Sequence, residues 1–532
     1  MMRRSEFIRL VRQQSSCLPR DALNKVLLLF AEHVSNNAFS ELLASFDTPV
    51  TAMPISSDLL IPAVKSLNEA VLRGEYALTW SEEDYFDGFS RDKVYTLNDP
   101  DGLGSEIEVL LEAAIACTDA GEYETAFKAF EELFAITISS DDGDVIGMET
   151  LSDQNLVNMD FIEVVKHYAY ASLMVLKPRE GAAKLMEILP LDYKICLHEI
   201  EEVGDEGIPG KADFIREWST ILMEQPGWLT ETALIDAAIY GGGIEALHAF
   251  TMEHGSVYKS SYIELIKAYT SLNQTDQAIE VALRGLDELI IDSEYRTQVA
   301  DLLLALAEEK EDHELAAQAI WQGLRSAMDI NHFMLLHQLQ DEALLSQAMN
   351  YLEDNRRKEY RDYLSIRLLN GDHQLVWEEL SRDTGSLGWS TSDKGRVFPM
   401  FIAILAGDGQ RMTCVKEIVA EAYPDKDPSV LIKQVVQANS RFLTAGEYQS
   451  YYNWCHMEVD ERVEAIVRGQ HRGSYDKAAA LAVAIAETMQ SKGDTAVAVA
   501  YLRGVKAKYP RYSSFLTSLR VKSKRSGFDI AL

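Results

Sequence analysis

Cysteine is scarce in this chain of 532 residues. There are five, Cys17, Cys117, Cys196, Cys414 and Cys455, scattered and odd in number. That excludes a disulfide framework and fits reduced thiols. Long apolar runs are also missing. The best, Val26 to Ala31, ends at Glu32 and His33, far short of the 18 or more residues of a membrane span. The first residues are basic, but Arg9 and Arg12 interrupt any signal-peptide core. The expected location is therefore cytoplasmic, with no membrane partner. Thirteen prolines and thirty glycines exclude a collagen-like or linker-dominated chain. Basic charge is short as well: 50 Lys and Arg stand against 84 Asp and Glu, a net −34. A chain of that balance lacks the basic footprint that direct nucleic-acid binding needs.

Apolar residues recur with helical spacing, as in Ile107, Leu110, Leu111, Ala114 and Ile115 or Val299, Leu302, Leu303 and Leu306. Breaks between such segments are short, and antiparallel helix pairs need short connections. Aligning the breaks on Gly121, Asn273, Glu311, Gly371 and Gly493 exposes a repeat. Five residues on stand Ala126, Ala278, Ala316, Val376 and Ala498; nine residues on stand Phe130, Ala282, Ile320, Leu380 and Leu502. Seven residues back stand Ala114, Ile266, Leu304, Leu364 and Ala486. A small residue where two helices cross, with larger apolar residues a turn away, is what close helix packing requires. The reading is all-α, an α-solenoid of antiparallel helix pairs.

These residues resemble tetratricopeptide (TPR-like) repeats, most closely over Ala114–Ile136, with Gly121, Tyr123, Ala126 and Phe130 in the order of that family. Leu265–Leu289 and Ala482–Pro510 are similar but looser. The resemblance implies a cytosolic protein-binding solenoid, a scaffold or adaptor whose concave face is lined by first helices, and hence by Tyr262, Tyr269 and Arg296. A fainter likeness is to the helical body of bacterial proteins that carry a SWIM-type zinc finger. It rests on the acidic loop Asp141–Asp144 and on Tyr509-Pro510-Arg511 followed by basic residues. The finger needs Cys-x-Cys and Cys-x-His, which this sequence lacks, so zinc is not carried over.

Charge and loops divide the chain into a helical segment 1–75, an acidic helical repeat region 76–200, a repeat solenoid 212–510 and a basic tail 511–532. Residues 82–163 hold 22 acidic side chains against Arg91, Lys93 and Lys128, a net −19. Within it Glu82, Glu83, Asp84, Tyr85 and Phe86 mix acids with aromatics, a combination suited to docking on a basic partner. Residues 503–525 carry eight Lys and Arg and no acid. Head-to-tail self-association of that stretch with the acidic block of a second copy is a further expectation.

Catalytic motifs are absent from the sequence: no phosphate-binding loop, no nucleophile elbow, no His-Glu-x-x-His. Gly241-Gly242-Gly243 follows a helical stretch rather than a strand, so it reads as a helix end. Cys455 and His456 point about 100° apart on a helix and do not face each other; His332 and His337 miss the spacing of paired helix ligands. Asp141–Asp144 lacks the spacing of a calcium loop. The expected protein is non-enzymatic, with no cofactor and no metal. Two other readings stand beside it, an acidic regulator of a basic or nucleic-acid-associated partner and an enzyme with an unrecognised carboxylate site.

Overall fold

Residues 56–86, 91–140, 143–191, 195–291, 293–356, 362–388, 392–407, 412–440 and 443–530 are described by a computed structural model. The expectation for 1–75 thus lies outside the described residues up to 55. The chain is all-α, and it divides into two units at Gly241/Gly242.

The first unit begins with α1 (Ser57–Leu72), a hairpin of β1 (Thr79–Phe86) and β2 (Arg91–Asn98), α2 (Leu103–Asp119) and α3 (Tyr123–Phe134). A short ribbon, β3 (Ile138–Ser139) with β4 (Val145–Ile146), leads to α4 (Met148–Asp153), α5 (Phe161–Val175), α6 (Pro178–Ile188), α7 (Leu197–Glu201) and α8 (Lys211–Glu224). Neighbours stack in order: α1 on α2 and α3, α3 on α5, α5 on α6, α6 on α8. The next stretch, α9 (Trp228–His254), is two helices broken at Gly242 and Gly243. Gly243 stands at φ 64° and ψ −151°, a conformation open only to glycine. The three glycines are a helix break, as the sequence implied.

In the second unit α10 (Ser260–Ser271), α11 (Thr275–Glu288), α12 (Glu294–Glu309), α13 (His313–Ala327), α14 (Ile330–Gln338) and α15 (Glu342–Asp354) pack each on the next. Then come α16 (Tyr363–Leu369), α17 (His373–Arg382), α18 (Asp393–Ala406), α19 (Thr413–Ala422), α20 (Pro428–Asn439), α21 (Ala445–Arg468), α22 (Tyr475–Ser491), α23 (Thr495–Lys508) and α24 (Ser513–Arg525). Here the order of stacking changes. Helix α22 touches α18, α19, α21, α23 and α24, and Ala478 to Met489 are buried without interruption. A helix apolar on all sides belongs in a core, and α22 is the axis of this bundle.

The five aligned turn residues all adopt left-handed backbone: Gly121, Asn273, Glu311, Gly371 and Gly493, at φ between 55° and 95°. Each is followed by a residue whose N–H reaches back to the helix it has left, as Glu122 to Cys117 O at 2.8 Å and Asp312 to Ala307 O at 2.9 Å. That is the Schellman closure, which satisfies terminal carbonyls. Gln340 and Gln470 use the same backbone at turns that the alignment missed. Glu311 is the costly member, since a side chain in this region is strained by roughly 1–2 kcal/mol. Glu311→Gly is expected to raise stability by about 1 kcal/mol, read from the midpoint of urea unfolding; an unchanged or lower midpoint would refute the strain.

The small residues after the turns are buried at the crossings: Ala126, Ala278, Val376 and Ala498 are fully enclosed. Ala316 is half-buried, and Ala319 takes the enclosed place on α13. Phe130, Ala282, Ile320, Leu380 and Leu502 are all in the core.

One further expectation is corrected. The acidic aromatic segment is a strand rather than part of a helical repeat. Glu82 pairs with Tyr95, Asp84 with Lys93 and Phe86 with Arg91 along the hairpin. Helix α18 starts at Asp393, where Ser392 Oγ accepts the Gly395 N–H at 3.0 Å. The basic tail, over its described residues, forms α24, and Phe515, Leu519 and Phe528 are buried. Lys522 is buried too, paired with Asp476 at 2.5 Å and with Glu417.

Candidate functional site

The residues expected on a concave face lie inside the repeat. Tyr262 on α10 is fully buried because Gly255 and Gly285 leave room for its ring, where any Cβ would meet it. Its hydroxyl donates to Glu288 Oε2 at 2.5 Å. Tyr269 is 5% exposed, with its hydroxyl 2.8 Å from His248 Nδ1. Arg296, 3% exposed, donates from Nε to Leu286 O at 3.0 Å and from Nη2 to Gln322 Oε1 at 2.7 Å. The guanidinium bolts α11, α12 and α13 together. First helices of a pair do line open faces in other repeats, but here these three side chains point between helices. None of them is available to a partner.

Glu82, Glu83, Asp84, Tyr85 and Phe86 occupy one strand, β1, and Glu82 is exposed. Of the loop Asp141–Asp144, the first two residues lie outside the described residues. Asp144 closes the β3–β4 turn: its N–H donates to Ser140 Oγ at 3.2 Å, and its carbonyl accepts the Ser140 N–H at 2.9 Å. Among the described residues no three His, Cys, Asp or Glu side chains form a metal-sized cluster, and no helix is long and apolar enough to cross a membrane.

An open surface that groups aromatic and titratable side chains lies on α21. Thr444 and Glu447 cap this helix reciprocally, Thr444 Oγ1 accepting the Glu447 N–H at 3.3 Å and Glu447 Oε2 accepting the Thr444 N–H at 2.8 Å. From there Tyr448, Tyr452, His456 and Asp460 recur every four residues and form one stripe. The rings of Tyr448 and Tyr452 are stacked at 6.4 Å with only 6° between planes. His456 lies 5.9 Å from Tyr452 and 4.9 Å from Tyr501 of α23. The Tyr501 hydroxyl donates to Asp460 Oδ1 at 3.1 Å, and burial pushes its titration well up, so it stays a donor.

Beside this stripe runs a groove of about 490 Å³ lined by Tyr452, Asn453, His456, Met457, Asp460 and Glu461. Met457 is 49% exposed at its edge. A cation already uses this surface: Lys492 Nζ lies 4.3 Å from the Tyr448 ring centre. The sequence points to a buried cysteine beside a partly buried histidine, and that is what is found: Cys455 is buried, with Tyr451 and Trp454, and His456 is half-buried, with Tyr452. The four-residue spacing of the stripe was the signal that would have separated them. No family model matches the chain, and no curated protein matches it either.

Proposed function

We propose that the protein is a non-catalytic, TPR-like binding protein, and that its partner is a protein segment bearing lysine or arginine, held on the α21 stripe. The observation that carries this reading is the grouping of half-buried aromatic rings with carboxylates along one open groove. Ring faces attract cations, and Asp460 and Glu461 supply the counter-charge. The net −34 of the chain steers basic partners toward it and repels acidic ones. The sequence of β1, which mixes acids with aromatics, is suited to a second basic contact. A cytosolic scaffold or adaptor fits these features.

A photo-crosslinking side chain at Met457 tests the proposal in native lysate, with one at exposed Val257 as control. The expected result is a single stoichiometric protein adduct at 457 and none at 257. The adduct should fade at about 0.5 M salt, where the Debye length falls below roughly 5 Å, and vanish in Tyr452→Ala with Asp460→Asn. An adduct indifferent to both substitutions, or one sensitive to nuclease, would overturn the reading.

A further inference from the structure

A second cavity, in the first unit, has a different chemistry. Helices α5, α6, α7, α8 and α9 enclose about 70 Å³ between them, with walls that include Ala169, Leu185, Ile200, Trp218 and Ala233. Trp218 forms the floor, being 1% exposed. Thr232, which is exposed, also lines the space and marks its opening to solvent.

Into this apolar chamber projects one carboxyl, Asp236 of α9. Its Oδ2 accepts the N–H of Leu197 at 2.8 Å, at the start of α7. Asp236 is half-buried and lines the chamber, so its carboxyl is within reach of what the chamber holds. A carboxylate against apolar walls gains from a cation or a strong donor and from little else. Burial pushes Asp236 up to about 6. The groups facing it are the Leu197 N–H and His198, which favour the ionised form, and Glu199, which opposes it. The Cys196 thiol beside it is pushed up by burial and stays neutral.

We propose that this chamber is a binding site for a small primary alkylamine. The alkyl tail fills the apolar space while the ammonium pairs with Asp236. Size sets the class: the chamber is about half of the 150 Å³ that accepts benzene, which suits a chain of about three or four carbons. Charge sets the head group, because a carboxylic acid or phosphate of the same length would bring like charge to Asp236. A neutral alcohol could fill the space, yet would leave the carboxylate without its counter-ion. An amine at this site follows from Asp236 and the apolar walls, not from the α21 stripe.

Calorimetric titration of the full chain with n-butylamine at pH 7.5, alongside n-butanol at equal concentrations, tests the assignment. Amine should bind at least about tenfold tighter than alcohol, one unit of the logarithmic affinity scale. Asp236→Asn should erase that preference while retaining the alcohol, which shows that the chamber is still formed. Lowering the pH to 5 should weaken the amine by protonating Asp236 and leave the alcohol unchanged. Ala233→Leu, which fills the chamber, should abolish both, with circular dichroism verifying the fold. Equal binding of amine and alcohol, amine binding that survives Asp236→Asn, or no binding of n-butylamine up to about 10 mM, a range that small fragments normally reach, would each overturn the proposal.

Discussion

Lys394→Met is expected to destabilise the second unit by about 3–5 kcal/mol, the cost of leaving a buried charge without its partner. Lys394 is 2% exposed and pairs with Glu458 Oε1 at 2.6 Å. Its ammonium also donates to the carbonyls of Asp383 and Gly385 at 3.1 and 3.0 Å. One side chain thus ties the segment before α18 to the middle of α21. Removing it strands a buried carboxylate and two carbonyls. The double variant Lys394→Met with Glu458→Leu should recover most of the loss, since a well-packed apolar pair substitutes for a buried ion pair at little cost. Urea unfolding followed by circular dichroism measures both. A single variant within about 1 kcal/mol of the parent would show that the pair is solvated and unimportant.

The second large effect is a loss of stability at alkaline pH through His332. This ring is buried at the start of α14, with Nδ1 2.9 Å from Asp329 Oδ2 and Nε2 3.0 Å from Asp301 Oδ1. Both nitrogens face carboxylate oxygens, so both carry protons and the ring is an imidazolium. Burial alone would lower its titration. The bonds to Asp301 and Asp329 outweigh that and push it up to about 9. The unfolded value is near 6.5. A group raised on folding stabilises fully below the unfolded value and loses its contribution as pH rises through the folded one. The contribution is therefore complete below about pH 6.5 and gone above about pH 9, a change on the order of 3 kcal/mol. Asp301→Asn should flatten the pH dependence of the unfolding midpoint in that window relative to the parent. Proton resonances of the His332 ring titrating below pH 7 would refute it. Gly323 belongs to the same device, because a side chain there would run into the His332 ring.

How much of this was legible beforehand depends on the range of the interactions involved. The turns were legible because their cause is local. A left-handed residue ends the helix at Gly121, Asn273, Glu311, Gly371 or Gly493, and at four of the five, all but Glu311, the alanine or valine five positions on enters the crossing, all within one helix pair. The same locality made the glycine break in α9 readable. The hairpin of β1 and β2 was missed although Asp87-Gly88 between aromatic and β-branched runs is a recognised hairpin signal. Its acids drew the reading toward a docking loop instead.

Other features depended on a third element that periodicity does not reveal. Helical spacing placed Tyr262, Tyr269 and Arg296 on one side of their helices, but which side is covered depends on the next helix and on the glycines that admit a ring. The charge of the basic stretch 503–525 is plain in one dimension, but its partners are not. Folding buries Lys522 beside Glu417 and Asp476, which come from elements 46 and more residues away in sequence. The α21 stripe and the Asp236 chamber are of the same kind. The sequence by itself determined the helices, their ends and the small residues at their crossings, since each follows from neighbours within one turn or one pair. Only the tertiary structure decided which polar side chains are buried and which face a groove or cavity, because burial is a property of what packs on top.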